Sequence, residues 1–592
     1  MCGCTDGCSL AGMSVPRYEL AEEEMPPRTA ARFIHDHLLL DGEPQLNLAS
    51  FVTTYMEEEA EKVGPVLLNV NFIDVEEYPA SGEIETRCVN MIARLFNAPL
   101  DRPDAEALGV STIGSSEAII LSVLAAKRRW KNKRVAEGKS TDHPNIVMSA
   151  AVQVCWEKAA RYLEVEERYW FCKPGQYVIN PKEAADLVDE NTVLVVAILG
   201  TTYTGQYEDV ATLNDELEKK NREAGLDVQI HVDAASGGFV APFIRPDLVW
   251  DFRLPLVSSI NVSGHKYGLS YAGVGWAIWR NKTFLPDDIL FTVNYLGSPQ
   301  VSFTLNFSKS AVQVIGQYYQ LLRLGKAGYR AIMTNLTATS DYLAEQVLSI
   351  KDGELFELLS DIGGAGLPLV AWKLKKELKY DEFAIARDLR QRGWIVPAYT
   401  MAPKTETMKL LRVVVREDFS RDRCEAFLTD LRHTIEHLET TPKVVLDHLD
   451  NSHQANIHNK ASRSEKYVPD EAFRILSLAM SNRPSSSSSR RFSIPWVWYY
   501  ALISCGRRRR HHHHEKHSLS GKYGKTHGVS ASCVLFSACH FAVKIGHGAK
   551  PLFLRRCVDS GFVWGTYSVK CKCEICRLLP LYSTYWVLCV KN

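Results

Sequence analysis

The sequence predicts an α/β fold built on a mostly parallel sheet with helices on both faces. Three observations carry that reading. Short apolar runs rich in β-branched residues recur through residues 145–279, each about the length of one buried strand. Amphipathic helical stretches lie between several of them, which is the alternation of a parallel sheet covered on both sides. Polar residues with chemical capacity gather where the runs end, and in such sheets ligands bind beyond the carboxyl ends of the strands.

The elements follow in order. STIGSSEAIILSVLAAKRRW (111–130) is a Gly-Ser-Ser turn opening a helix that is apolar through its first turns and basic at its end. Free N–H groups and the helix dipole favour an anion at such a start, and Ser115 and Ser116 add hydroxyl donors. An ordinary serine cap is the plainer reading. NIVMSA (145–150) and TVLVVAILG (192–200) read as buried strands, with PKEAADLVDE (181–190) as a helix before the second. ATLNDELEKKNREAG (211–225) is the next helix, and VQIHVDA (228–234) is a strand with Asp233 near its end. VSSINVSG (257–264) and GVGWAIW (273–279) complete the set, and the SGHKYG turn between them carries His265 and Lys266.

Taken singly, Asp233 reads as a helix cap and Lys266 as a solvated loop lysine. Together they match what pyridoxal phosphate (PLP) requires of a protein: a carboxylate for the pyridine nitrogen and an amine that forms a Schiff base. Composition sets the frame around them. The 592 residues imply two or more domains, and 46% hydrophobic with 23% charged residues is ordinary for a globular protein. Net charge is zero, so no whole-chain electrostatic argument favours nucleic acid or a membrane. No run approaches the ~18 apolar residues of a bilayer span. The N-terminus lacks the order of a secretory signal, and residues 9–484 hold only Cys88, Cys155, Cys172 and Cys424. A cytoplasmic protein is expected. Cys573 and Cys576 form a CxxC without a second pair, so no metal site is expected.

SGHKYG, HVDAASGGF, STIGSSEA, NLASFVTTY and LRVVVREDFS together resemble the glutamate decarboxylases, a branch of the PLP-dependent group II decarboxylases. The resemblance covers residues 15–440. It implies the fold of PLP-dependent transferases (fold type I), with a large mostly parallel α/β domain and a smaller C-terminal α/β domain. The implied boundaries are an N-terminal segment at 1–48, the large domain at 49–340, the small one at 341–440 and a low-complexity, disordered tail at 441–592. The implied reaction is decarboxylation of L-glutamate to 4-aminobutyrate and CO2.

The resemblance also implies residue roles. Lys266 carries PLP, His265 is a phosphate ligand, Asp233 is the pyridinium partner, and Ala235 packs beneath the ring. Gln153 stands where aromatic decarboxylases have a ring-stacking histidine. Thr202 contacts the cofactor, and Ser308 contacts its phosphate from a neighbouring subunit. Arg412 binds the α-carboxylate, and Arg416, four residues on, competes for that role because strand alternation puts both on one face. Ser50, Phe51 and Asn71, with Asp74 nearby, form the distal-carboxylate pocket. Tyr295 and Leu296 lie near the tip of a flap at 285–297. The stretch before Asn71 departs from the family's wording, and Ser50 stands where many relatives have threonine.

A homodimer or larger homo-oligomer is expected. Two other readings stay open: another PLP enzyme of the same fold, against which Gln153 and NLASF argue, and a non-enzymatic role with the tail as a binding module. Plant relatives bind calmodulin through their C-terminus. Here SRRFSIPWVWYYALISCGRRRR (489–510) has aromatic anchors and basic flanks, but Pro495 interrupts it and no regular anchor spacing emerges. EKHSLSGKYGKTHGV (515–529) resembles the end of fungal relatives, which places 530–592 beyond the expected stop.

Overall fold

A computed structural model describes residues 17–294 and 300–446, and the backbone of three strands further along. The chain divides into two compact units, Met1–Glu471 and Ala472–Asn592.

In the first unit, α1 (Pro27–Leu38) and α2 (Pro79–Leu95) precede an alternating series. It runs β1 (Leu108–Thr112), α3 (Ser115–Ala136), β2 (Asn145–Ser149), α4 (Val154–Tyr162), β3 (Glu166–Trp170), α5 (Pro181–Asp186) and β4 (Thr192–Ile198). Next come α6 (Val210–Ala224), β5 (Ile230–Asp233), β6 (Val257–Ser263) and β7 (Gly275–Trp279). Their spatial order is β1-β7-β6-β5-β4-β2-β3. β3, β2, β4, β5 and β6 pair in parallel, while β7 runs antiparallel to both β6 and β1. The expected mostly parallel sheet is therefore present.

Period-two alternation explains why the apolar runs are continuous. Val147, Val195 and Ala197 pack into one buried cluster, while Ile146, Met148, Leu194 and Val196 pack into another. A strand covered on both faces has no solvent side on which to place polar residues. Helix ends follow local chemistry. Asp209 caps α6 by accepting the Thr212 N–H at 3.0 Å, and Gly225 closes it in the left-handed region at φ 64°. The helix predicted at 181–190 ends at Asp186. Beyond it, Asp189 accepts from the Asn191 N–H and the Asn145 amide at 2.9 Å each, so a side-chain turn replaces the next helical turn.

A short ribbon of β8 (Phe291–Val293) and β9 (Gln300–Ser302) leads to the long α7 (Val312–Ser349), broken at Gly325. A second, antiparallel sheet follows. It comprises β10 (Phe356–Leu358), β11 (Leu369–Leu374), β12 (Ala398–Thr400) and β13 (Lys409–Val414), ordered β10-β11-β13-β12. Helices α8 (Glu382–Gln391) and α9 (Arg421–Thr440) belong to the same stretch. Among the described residues no helix is long and apolar enough to cross a membrane.

In the second unit, β14 (Phe553–Arg556), β15 (Val563–Ser568) and β16 (Thr584–Cys589) form an antiparallel sheet, where the sequence reading expected disorder. VWGTYS and TYWVLC are rich in aromatic and β-branched residues, which favour strands; the serine and arginine runs upstream dominated the composition. The 489–510 segment, Tyr295 and Leu296 lie outside the described residues.

Candidate active site

The sheet delivers its polar ends to one place. A cavity of about 350 Å³ is lined by Ser115, Ser116, Gln153, Thr202, Asp233, Ala235, His265 and Lys266, together with Gly114, Cys155 and Ser236 among others. Every residue expected from the sequence to touch the cofactor, apart from Ser308, lines it.

Lys266 is half-buried, and its Nζ donates to Ser236 Oγ at 3.2 Å and sits 5.4 Å from the Phe51 ring centroid. Burial holds its pKa below the ordinary lysine value, opposed by the negative charge of Asp233. A neutral amine is a nucleophile; an ammonium is not. The turn is strapped from outside, because the Thr53 N–H donates to the His265 carbonyl at 2.9 Å and the Thr53 hydroxyl to the Lys266 carbonyl at 2.8 Å.

Asp233 is buried at the end of β5. Its Oδ2 accepts from Trp156 Nε1 at 2.7 Å, and its Oδ1 from the Ala235 N–H at 3.1 Å and Asn261 Nδ2 at 3.0 Å. At the opposite wall, α3 begins at Ser115 after Gly114, and the first N–H groups of a helix lack intrahelical acceptors. Gly114 has φ 156°, and a Cβ there would lie 3.1 Å from His265 Cε1, so a side chain would crowd the histidine. Burial pushes His265 down to about 4, and its Nδ1 is buried with no partner. Gln153 caps α4 by accepting the Cys155 N–H at 2.7 Å.

The two arginines separate cleanly. Arg412, on β13, lies over Phe51 at 4.8 Å and Tyr399 at 5.4 Å. It donates to the carbonyls of Thr202 and Ala49, and its Nε is buried and unpartnered. Arg416 is instead committed to backbone: it donates to the carbonyls of Asn47 at 2.6 Å, Ser50 at 2.8 Å and Pro44 at 3.2 Å. The expected strand alternation does not extend to it, because β13 ends at Val414. Arg416 thus clamps the 44–50 segment that presents Phe51. Arg416→Ala would leave the Asn47 and Ser50 carbonyls without their donor, while the Pro44 carbonyl keeps the Asn47 N–H at 3.2 Å, and is expected to cost about 2–4 kcal/mol of stability. A thermal melt at the parental temperature would overturn that assignment.

None of the expected substrate residues, Arg412 and Phe51 included, is among the residues lining the cavity. Ser50 Oγ accepts the Val52 N–H at 3.1 Å. Asn71 Nδ2 reaches Ser308 Oγ at 3.5 Å, and the Asp74 N–H donates to the Asn71 carbonyl at 3.2 Å. Sequence reasoning missed Trp156, Asn261, Ser236 and Thr53. Polar residues inside apolar strands were the available signal for Asn261, and Thr53 stood in a motif already singled out.

Pyridoxal phosphate fits this set of donors. A single half-buried amine, a carboxylate with a free lone pair, and a helix start beside an unpartnered histidine nitrogen match its aldehyde, ring nitrogen and phosphate.

Comparison with known proteins agrees. Residues 21–375 match the pyridoxal-dependent decarboxylase conserved domain. Glutamate decarboxylase 1 of Arabidopsis thaliana is 54% identical over 433 residues, covering 73% of this chain and 85% of the relative. The glutamate decarboxylase of Aliivibrio fischeri is 45% identical, covering 73% and 91%. The solved glutamate decarboxylase of Lactobacillus brevis superposes with a TM-score of 0.70 at 42% identity, covering 73% of this chain and 98% of that one. The chain belongs to the pyridoxal-dependent decarboxylase family, and within it to the glutamate decarboxylases.

Proposed function

We propose that this chain decarboxylates L-glutamate to 4-aminobutyrate and CO2 with pyridoxal phosphate held on Lys266. The observation that carries the reading is the convergence of Lys266, Asp233 and the start of α3 on one cavity. When bound, the cofactor supplies an electron sink for the pair left behind as the bond to the α-carboxylate breaks.

The chain's own residues do the rest. Lys266 Nζ would hold the cofactor through its aldehyde carbon, and its hydrogen bond to Ser236 Oγ at 3.2 Å would aim the amine into the cavity. Asp233 keeps the ring nitrogen protonated. Ser115, Ser116 and His265 hold the phosphate, with Thr202, Ala235 and Gln153 around the ring. Arg412, aimed by Phe51 and Tyr399 and with an unpartnered Nε, would bind the α-carboxylate and orient it. The flexible substrate is thereby held in one reactive conformer, an effect of up to ~7–11 kcal/mol at its extreme.

The distal carboxylate is taken by Phe51 and Ser50 with Asn71 and Asp74. Because Asn71 and Ser308 pair with each other away from the cavity lining, they serve best in a second subunit's site, with Ser308 reaching its phosphate. A homodimer or larger assembly is the state this reading favours. Four free, buried thiols, Cys88, Cys155, Cys172 and Cys424, support a cytoplasmic setting.

Aspartate is one methylene shorter than glutamate, so a site fixing both carboxylates discriminates sharply between them. The purified protein with added cofactor is expected to release CO2 from glutamate far faster than from aspartate or tyrosine. Faster release from tyrosine would overturn the substrate assignment.

A further inference from the structure

Behind Asp233 lies a hydrogen-bonded chain that the reaction scheme does not use. Ser259 Oγ and His231 Nδ1 are 2.7 Å apart, His231 Nε2 and Asn261 Oδ1 are 2.7 Å apart, and Asn261 Nδ2 reaches Asp233 Oδ1 at 3.0 Å. The same Asn261 Nδ2 also donates to Ser115 Oγ at 3.1 Å, and Ser115 Oγ lies 2.6 Å from Ser263 Oγ. His231 and Asn261 are fully buried on the adjacent strands β5 and β6.

The chemistry gives this chain one polarity. An ionised Asp233 only accepts, so the Asn261 amide must turn its NH2 toward the carboxylate and its oxygen toward His231. His231 Nε2 then carries the hydrogen, and Nδ1 accepts from the Ser259 hydroxyl. Burial lowers His231 to about 4, which keeps that neutral tautomer in place. The Trp156 ring packs edge-on against His231 at 5.2 Å and donates its own N–H to Asp233 Oδ2. The Trp156 N–H and the Asn261 amide point at Asp233 or at the first serine of α3, and His231 and Ser259 hold that amide in place from behind. Both hydrogens of one amide are thus divided between the two ends of the cofactor site.

We infer that Asn261, fixed by His231, is a positioning residue that joins Asp233 and Ser115 into one hydrogen-bonded unit, so that the carboxylate at the ring nitrogen and the hydroxyl at the phosphate are set together. This rests on the cofactor placement given above. With Asn261 removed, Asp233 Oδ1 keeps only the Ala235 N–H, and the carboxylate turns away from the ring.

The test uses holoenzyme reconstituted with cofactor labelled with 15N in the ring. Asn261→Leu fills the volume without donors, and Asn261→Ala empties it. Both are expected to move the ring-nitrogen resonance toward that of unprotonated pyridine and to weaken cofactor binding by about tenfold, the loss of one charge-assisted hydrogen bond. His231→Phe, which leaves Asn261 free to rotate, is expected to shift the resonance in the same direction by less, and it serves if the Asn261 variants do not fold. Asp233→Asn is the control. If it moves the resonance while the Asn261 and His231 variants leave resonance and affinity at parental values, the coupling is wrong and the placement of Asp233 stands. If Asp233→Asn also leaves the resonance in place, the placement itself is wrong.

Discussion

Lys266→Ala should abolish the absorbance band of the tethered cofactor and lower turnover by roughly a thousandfold or more, some 4 kcal/mol of barrier. The size of the effect follows from the lining of the cavity. Lys266 is the only lysine among the residues that surround it, so no neighbouring amine replaces the tether. Burial holds its pKa below the ordinary lysine value, whereas an amine supplied from solvent keeps that value and is protonated at neutral pH. The phosphate cradle at Gly114 and Ser115 is untouched by the substitution, so the variant should still take up cofactor without covalent attachment. Borohydride reduction followed by mass measurement separates the two forms. A variant that retained a reducible adduct at parental turnover would remove Lys266 from its role.

Arg412→Lys should lower kcat/KM for glutamate by about a hundredfold, near 2.7 kcal/mol, with the melting temperature close to that of the parent. Lysine keeps the charge but loses the planar fork that matches a carboxylate. It also loses the stacking on Phe51 and Tyr399 that aims the guanidinium. The cofactor band should persist, because Arg412 is not part of the cavity lining that holds it. If Arg412→Lys instead lowered the melting temperature and left kcat/KM unchanged, the residue would be a structural clamp like Arg416.

The contrast between these arginines shows what the sequence could and could not reveal. Spacing of four placed both on one face of an extended strand, and nothing local marked the end of β13 at Val414. Which carbonyls surround Arg416 depends on a loop more than 360 residues earlier. The interior strands β2, β4, β5 and β6 were legible because they are buried throughout. β1 and β3 were not, and they are the two edge strands of the sheet. EERYW in β3 has a neighbour on one side only and carries charges that an interior position would exclude. Asp233 and Lys266 stood out because they interrupt apolar runs at strand ends. His231 and Asn261 each interrupt these runs two residues inside the end of their strand, where a polar residue is equally costly without a partner.

The clamp on residues 44–50 has a consequence for synthesis. Arg416 and Asn47 are 369 residues apart in the chain, and Arg412 and Ala49 are 363 apart. At roughly 5–20 residues per second, about 20 to 75 seconds separate the emergence of the two halves from the ribosome. Until the later half arrives, the 47–51 segment has neither arginine to bind, and the Phe51 ring lacks the guanidinium that lies over it at 4.8 Å in the complete protein. A chain terminated before Arg412 would contain neither arginine, and the Asn47, Ala49 and Ser50 carbonyls would lose the donors that hold this segment in the complete protein.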